Sequence, residues 1–126
     1  MKQSFEELVK VNRILLGEKG CAWDRKQTFD TIKKTMLSEA QEVKEAIEKK
    51  DYENLKEELG DLLYNVIFLS RMAEKKNLFS IKDVLVASKE KIVGRHAHVF
   101  GDQKLDDLKK ISEQWHRIKE EEKKDK

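Results

Sequence analysis

The chain has 126 residues, of which 41% are charged, yet its formal net charge is only +2. That length suits one domain with a single core, and interspersed charge of both signs argues against a basic nucleic-acid footprint. The absence of proline and the presence of only five glycines, in a chain rich in Lys, Glu, Leu, Ile and Ala, exclude a turn-rich β-architecture and predict an almost entirely α-helical protein.

The N-terminal stretch "MKQSFEELVKVNRILL" reads as an amphipathic helix. Ser4 and Glu7 have capping-box spacing, which sets its predicted start at Ser4. Phe5, Leu8, Val9, Leu15 and Leu16 form its apolar face, and Gly17 and Gly20 bracket its end. It lacks the apolar core of a signal peptide, and no apolar run in the chain approaches the roughly 20 residues needed to span a bilayer. A cytoplasmic protein with no membrane partner is expected. The loop "GCAWDRKQT" follows. Its Cys21 is the sole cysteine, so no intramolecular disulfide forms.

The second helix is predicted from Thr28 or Asp30 to Lys50, and the third from Asp51 to Lys76. "NLFS" is a turn. Ser80 and Asp83 begin a fourth helix that reaches Val93. "GRHAHVFGD" reads as a loop. The last helix carries Leu105, Leu108, Ile111, Trp115 and Ile118 at helical spacing. One domain over residues 1–120 is expected, with 121–126 as a charged, frayed tail. About five helices with short connections predict an antiparallel bundle. The third helix is apolar on more than one face, so a four-helix core completed by association into a homodimer or larger oligomer is expected.

Four carboxylates interrupt this pattern. In the second helix Ile32, Met36, Ala40, Val43, Ala46 and Ile47 share one face. Glu39 projects inside that arc and Glu42 lies at its edge. In the third helix Leu55, Leu59, Leu62 and Val66 form the main stripe, with Glu58, Asp61 and Asn65 along its flank. That flank continues as Phe68, Leu69 and Met72, unlike a solvent face. Acidic pairs at helical spacing are commonly solvated or salt-bridged, and Glu45, Glu48, Glu53 and Glu57 fit that plainer reading. Two pairs that both abut an apolar stripe fit it poorly. Carboxylates beside a core need compensation, and four facing one another repel. Divalent cations resolve both problems, and an all-oxygen donor set favours magnesium, manganese or calcium.

Glu39-x-x-Glu42, followed sixteen positions later by Glu58-x-x-Asp61, resembles the MazG nucleotide pyrophosphohydrolases of the all-α NTP pyrophosphatase group. "GCAWD" with "QT" is similar to the family's Cys-Pro-Trp-Asp…Gln-Thr segment. "EELGDLL", "EKIVGRHAHVFGD" and "QWHRIKEEEK" resemble three further family segments, so the likeness spans roughly residues 10 to 120. The resemblance implies Mg²⁺-dependent hydrolysis of nucleoside triphosphates to the monophosphate and pyrophosphate, with Mn²⁺ able to substitute. By motif match Glu39, Glu42, Glu58 and Asp61 would be the metal ligands. The family's further glutamate ahead of this motif is Ser38 here, so the resemblance leaves proton removal from the attacking water to Glu39 or Glu42. Ala22 and Ala97 replace family prolines, and Gly94 replaces an arginine.

The same match implies triphosphate contacts from Lys91 and Arg95, four residues apart on one helix face. Trp23 could stack on a base or cap the bundle end. Asn65, one turn after Asp61, could meet the ribose or a phosphate, or satisfy a buried neighbour. Trp115 and Lys119 match the closing segment, although Trp115 also fits its helix's apolar stripe. His96 and His98 invite a zinc reading, but no cysteine or third histidine lies near them in the sequence, and loop packing is preferred. Two alternatives remain beside the pyrophosphohydrolase reading. One is a relative specific for dUTP or phosphoribosyl-ATP. The other is a catalytically weak module that senses nucleotide or metal.

Overall fold

The computed structural model describes residues 1–102 and 104–125. Among these residues it contains seven helices and no strand: α1 (Lys2–Leu15), α2 (Ala22–Arg25), α3 (Phe29–Lys49), α4 (Tyr52–Lys75), α5 (Ile81–Arg95), α6 (Ala97–Phe100) and α7 (Leu108–Lys124). The chain divides into two compact units, Met1–Ile81 and Lys82–Lys126.

In the first unit, α1 begins earlier than its capping-box spacing predicts. Met1 is the N-cap and Ser4 already lies inside the helix. Its C-terminus is sealed from outside. Arg25 Nη1 donates to the carbonyls of Gly17 and Glu18 at 2.9 and 3.0 Å. Lys75 Nζ donates to the Leu16 carbonyl. The Lys75 bond satisfies the carbonyl of the C-cap, and the Arg25 bonds bind the turn just beyond it. They also tie the short helix α2, and with it Trp23, to the end of α1. A Cβ at Gly20 would collide with the carbonyl oxygens of Ile14 and Leu15, so the chain can turn this closely only with glycine.

Thr28 caps α3 in a reciprocal arrangement. The Thr31 amide donates to Thr28 Oγ1 at 3.2 Å, and the Thr28 amide donates to Thr31 Oγ1 at 2.9 Å. Lys50 then adopts left-handed backbone geometry, φ 57°, and Asp51 caps α4 by accepting from the Asn54 amide at 3.2 Å. A connection of two residues forces α3 and α4 into an antiparallel hairpin. Leu16, Ile32 and Phe68 form the core of this unit, with Tyr64, Leu69 and Met72 packed against it. Ile67, Ala46 and Ala73 are also buried.

The apolar arc of α3 is less covered than its periodicity predicts. Ala40 is exposed, and Ile47 remains 56% exposed. On α4, Leu59 and Leu63 likewise retain 49% and 42% of their accessible surface.

In the second unit, the segment expected as a loop after Val93 is helical as far as Arg95 and then forms the single turn α6. The last helix starts at Leu108, capped by Asp107, rather than at Leu105. Leu108 is 84% exposed, so it does not extend the buried stripe. The charged tail is helical to Lys124, while Lys126 lies outside the described residues. Glu122 accepts from Arg95 Nε and Nη2 at 3.2 and 2.9 Å, a two-donor grip that anchors this last turn.

Candidate metal centre

The α3–α4 hairpin explains the spacing of the acidic pairs. Glu42 and Glu58 are each eight residues from Lys50, and Glu39 and Asp61 are each eleven. Both helices advance about 1.5 Å per residue, so each α3 glutamate meets an α4 carboxylate at the same height above the turn. Carboxylate oxygens of Glu39, Glu58 and Asp61 lie within 4.8 Å of one another. Glu42 stands against Glu58 at the side nearer the turn.

The electrostatics of this cluster are strained. Glu39 Oε2 and Glu58 Oε2 are buried and accept no hydrogen bond. Such oxygens carry an unrecovered desolvation cost. Glu58 is pushed up to about 8, first by the carboxylate of Glu42, then by that of Glu39, with burial adding to both. For Glu39 the neighbouring carboxyl of Glu58 acts downward. Burial and the carboxylates of Glu42 and Asp61 outweigh it, so Glu39 is raised overall. By itself the cluster therefore retains protons into the neutral range. A divalent cation matches it: the donors are all oxygens, two are buried without partners, and the charge is wholly negative.

Glu39 and Asp61 open onto a cavity of about 380 Å³. Trp23, 73% exposed, stands at its rim. Asp24 and Gln27 line it from the α2 segment, and the Gln27 side-chain amide donates to the Trp23 carbonyl at 3.1 Å. Asn65 is buried at 6% exposure in its wall, beside Tyr64 and Phe68. The structure thus gathers Glu39, Glu58, Asp61, Trp23 and Asn65 around one site. Asp24, Gln27, Thr35 and Tyr64 also line it and escaped the sequence reading. Tyr64 had a signal, since it follows Asp61 by three residues on the same helix. Thr35 had none.

The second unit contains a separate basic cleft of about 400 Å³. Lys91, Arg95, Lys119 and Lys123 line it, with Glu122 and Asp125. The Arg95 guanidinium lies 5.2 Å above the Trp115 ring, and His96 meets that ring edge-on at 5.1 Å. Trp115 is half-buried, which serves both packing and the cleft. His98 Nδ1 lies 3.3 Å from Gln114 Oε1, so this histidine is engaged in packing and hydrogen bonding.

A model of the MazG nucleotide pyrophosphohydrolase domain matches residues 27–100, more than half of the chain. A nucleoside triphosphate pyrophosphohydrolase/pyrophosphatase MazG from Thermotoga maritima is 43% identical over 119 residues, covering 94% of this chain and 45% of that protein. A nucleoside triphosphate pyrophosphohydrolase from Escherichia coli K12 is 38% identical over 122 residues, covering 97% and 46%. This chain therefore spans less than half the length of these relatives. The crystal structure of a mazG-related protein from Thermotoga maritima superimposes with a TM-score of 0.77 at 29% identity, covering 91% of this chain and 98% of that one.

Proposed function

The chain belongs to the MazG nucleotide pyrophosphohydrolase family, and on that premise we propose that it hydrolyses nucleoside triphosphates to the monophosphate and pyrophosphate at the carboxylate cluster, with magnesium as its cofactor and manganese as a substitute. The observation that carries this reading is the trio Glu39, Glu58 and Asp61, whose carboxylates converge within 4.8 Å, with one oxygen each of Glu39 and Glu58 buried and unpartnered, and with Glu39 and Asp61 on the wall of a nucleotide-sized cavity.

Glu39, Glu42, Glu58 and Asp61 hold the cation. When bound, it neutralises phosphate charge and polarises the phosphorus–oxygen bonds. The chain's own groups do the rest. Trp23 offers an exposed aromatic face against which a base stacks. The Asn65 carboxamide faces ribose or phosphate oxygen. A water oxygen forms a bond to the α-phosphorus while the bond from that phosphorus to the bridging oxygen breaks, and the electron pair leaves with pyrophosphate. Glu39 or Glu42 accepts the proton that the water loses, the part that Ser38 cannot take.

Lys91, Arg95 and Lys119 give the cleft of the second unit the cations that polyphosphate oxygens need, with Trp115 against the guanidinium of Arg95. Arg95→Ala should raise KM for the triphosphate about tenfold and change kcat less, because the cleft loses a guanidinium charge and its ordered partner Glu122. Steady-state kinetics read this directly, and an unchanged KM would remove Arg95 from the substrate-binding set.

The protein works as a homodimer or larger assembly in the cytoplasm. The support is apolar exposure on the hairpin: Leu37, Leu59 and Leu63 remain 66%, 49% and 42% exposed. Leu59 and Leu63 share one face of α4. Converting both to lysine should lower the mass in sedimentation to that of one chain; an unchanged mass would place the interface elsewhere.

The decisive experiment measures pyrophosphate release from canonical and modified (d)NTPs, with Mg²⁺ and with EDTA. Mg²⁺-dependent formation of pyrophosphate and monophosphate supports the reading and ranks the substrates. Turnover confined to dUTP or phosphoribosyl-ATP would narrow it. Nucleotide binding without turnover would favour a sensing module.

A further inference from the structure

Asn12 lies on α1, ahead of the segment that the family model matches, and is completely buried. Its Nδ2 donates to the Tyr64 hydroxyl at 3.2 Å. Its Oδ1 is buried and accepts nothing from the chain. On α4, Arg71 donates from Nη1 to Glu74, yet its Nε is buried and unpartnered. Asn12 and Arg71 both line one small cavity of about 10 Å³, the space of a single water. An orphan acceptor and an orphan donor beside the same cavity are what one bridging water would satisfy.

The other end of this network reaches the site. The Tyr64 ring packs edge-on against Phe68, with centroids 6.1 Å apart, and lines the cavity shared with Asp61. A phenol held only by packing can shift about its side-chain torsions; a hydroxyl fixed by a buried amide cannot. We propose that Asn12 is a positioning residue for the nucleotide cavity: with one water bound between it and Arg71, it fixes Tyr64 as the rigid wall beside Asp61. This rests on the reading above that the cavity takes a nucleotide. A half-satisfied buried network would destabilise the core, so the water is integral to the device.

The test compares N12L, Y64F and the double variant in the full chain, with kcat, KM and the Tyr64 ring signals by NMR. Only two tyrosines are present, so that signal is readily assigned. Each single variant should raise KM about fivefold, the loss of roughly one hydrogen bond's worth of ordering, with kcat within about twofold. The double variant should be no worse than either single one, because both remove the same bond. N12L should shift or broaden the Tyr64 ring signal, and the wild type should show a water cross-peak to the Asn12 side-chain amide. Additive effects, or an unchanged KM in Y64F, would overturn the proposal. Y64F removes one hydroxyl only, so it decides the matter even if N12L folds poorly. If the wild type hydrolyses no triphosphate, the nucleotide reading falls, and the Tyr64 signal in N12L still judges the positioning: an unmoved signal overturns it.

Discussion

Asp61→Ala should abolish pyrophosphate release, lowering kcat/KM at least about a thousandfold, while the helical circular dichroism stays intact. The size of the effect follows from charge under the proposed function: a polyanionic substrate would meet a site that needs a cation held between two helices. Removing one ligand from a compact oxygen set weakens that cation and misaligns the phosphate it would hold. The same geometry predicts a second outcome that separates function from folding. In the ion-free protein the cluster is repulsive, since Glu58 is raised by Glu42 and Glu39, and Glu39 by Glu42 and Asp61 after its contact with Glu58 is outweighed. Removing Asp61 relieves part of that repulsion. Without divalent cations D61A should therefore melt at or above the temperature of the wild type, and it should lose most of the stabilisation that Mg²⁺ confers. Glu42→Ala should behave alike. Undiminished turnover in either variant would dismiss these carboxylates as ligands.

Mg²⁺ should stabilise the protein more at pH 8 than at pH 6. Glu58 holds its proton up to about 8 in the folded chain, whereas an unperturbed glutamate loses it near 4.5. Between those values the unfolded chain binds fewer protons than the folded one. Stability without divalent cation therefore falls as pH rises through that window and levels off above about 8. The upward shift of Glu39 adds in the same direction. A cation must displace these protons to bind, so its affinity climbs over the same range. Melting temperatures at several pH values, with Mg²⁺ and with EDTA, measure both slopes. In E58Q the pH slope should flatten and the Mg²⁺ effect should shrink. A Mg²⁺ shift independent of pH would mean that the cation binds away from Glu58.

Much of this was legible in the sequence because it is local. Helix content follows from composition, and the ends of α3 and α4 follow from Thr28 and Asp51, whose side chains bond to amides three residues on. The displaced boundaries have two causes. Ser4 has the chemistry of a cap, but helical geometry is already available from Met1 onward, so its hydroxyl is not needed. The tail past Lys119 has no apolar face to hold it. It is ordered by Glu122 receiving Arg95 from α5, a contact between residues 27 apart that no local pattern announces.

The site divides along the same line. The sequence by itself determined that four carboxylates flank apolar stripes, and that each pair spans three residues so that both members share a helix face. It also contained the equal spacing about Lys50 that brings the pairs together, because a two-residue turn leaves two helices no arrangement but antiparallel. Only the tertiary structure decided which carboxylates converge within 4.8 Å and which oxygens lose all partners. It alone brought Trp23 and Gln27, from before α3, to the wall that Asn65 forms from α4. Asn12 is the sharpest instance. In the sequence it occupies the place of an apolar residue between Val9 and Leu15; in the fold it is buried with its amide on Tyr64. Periodicity reports which face a residue occupies. Which atom waits across the interface is fixed by packing between helices distant in sequence, and the chemistry of this site depends on that packing.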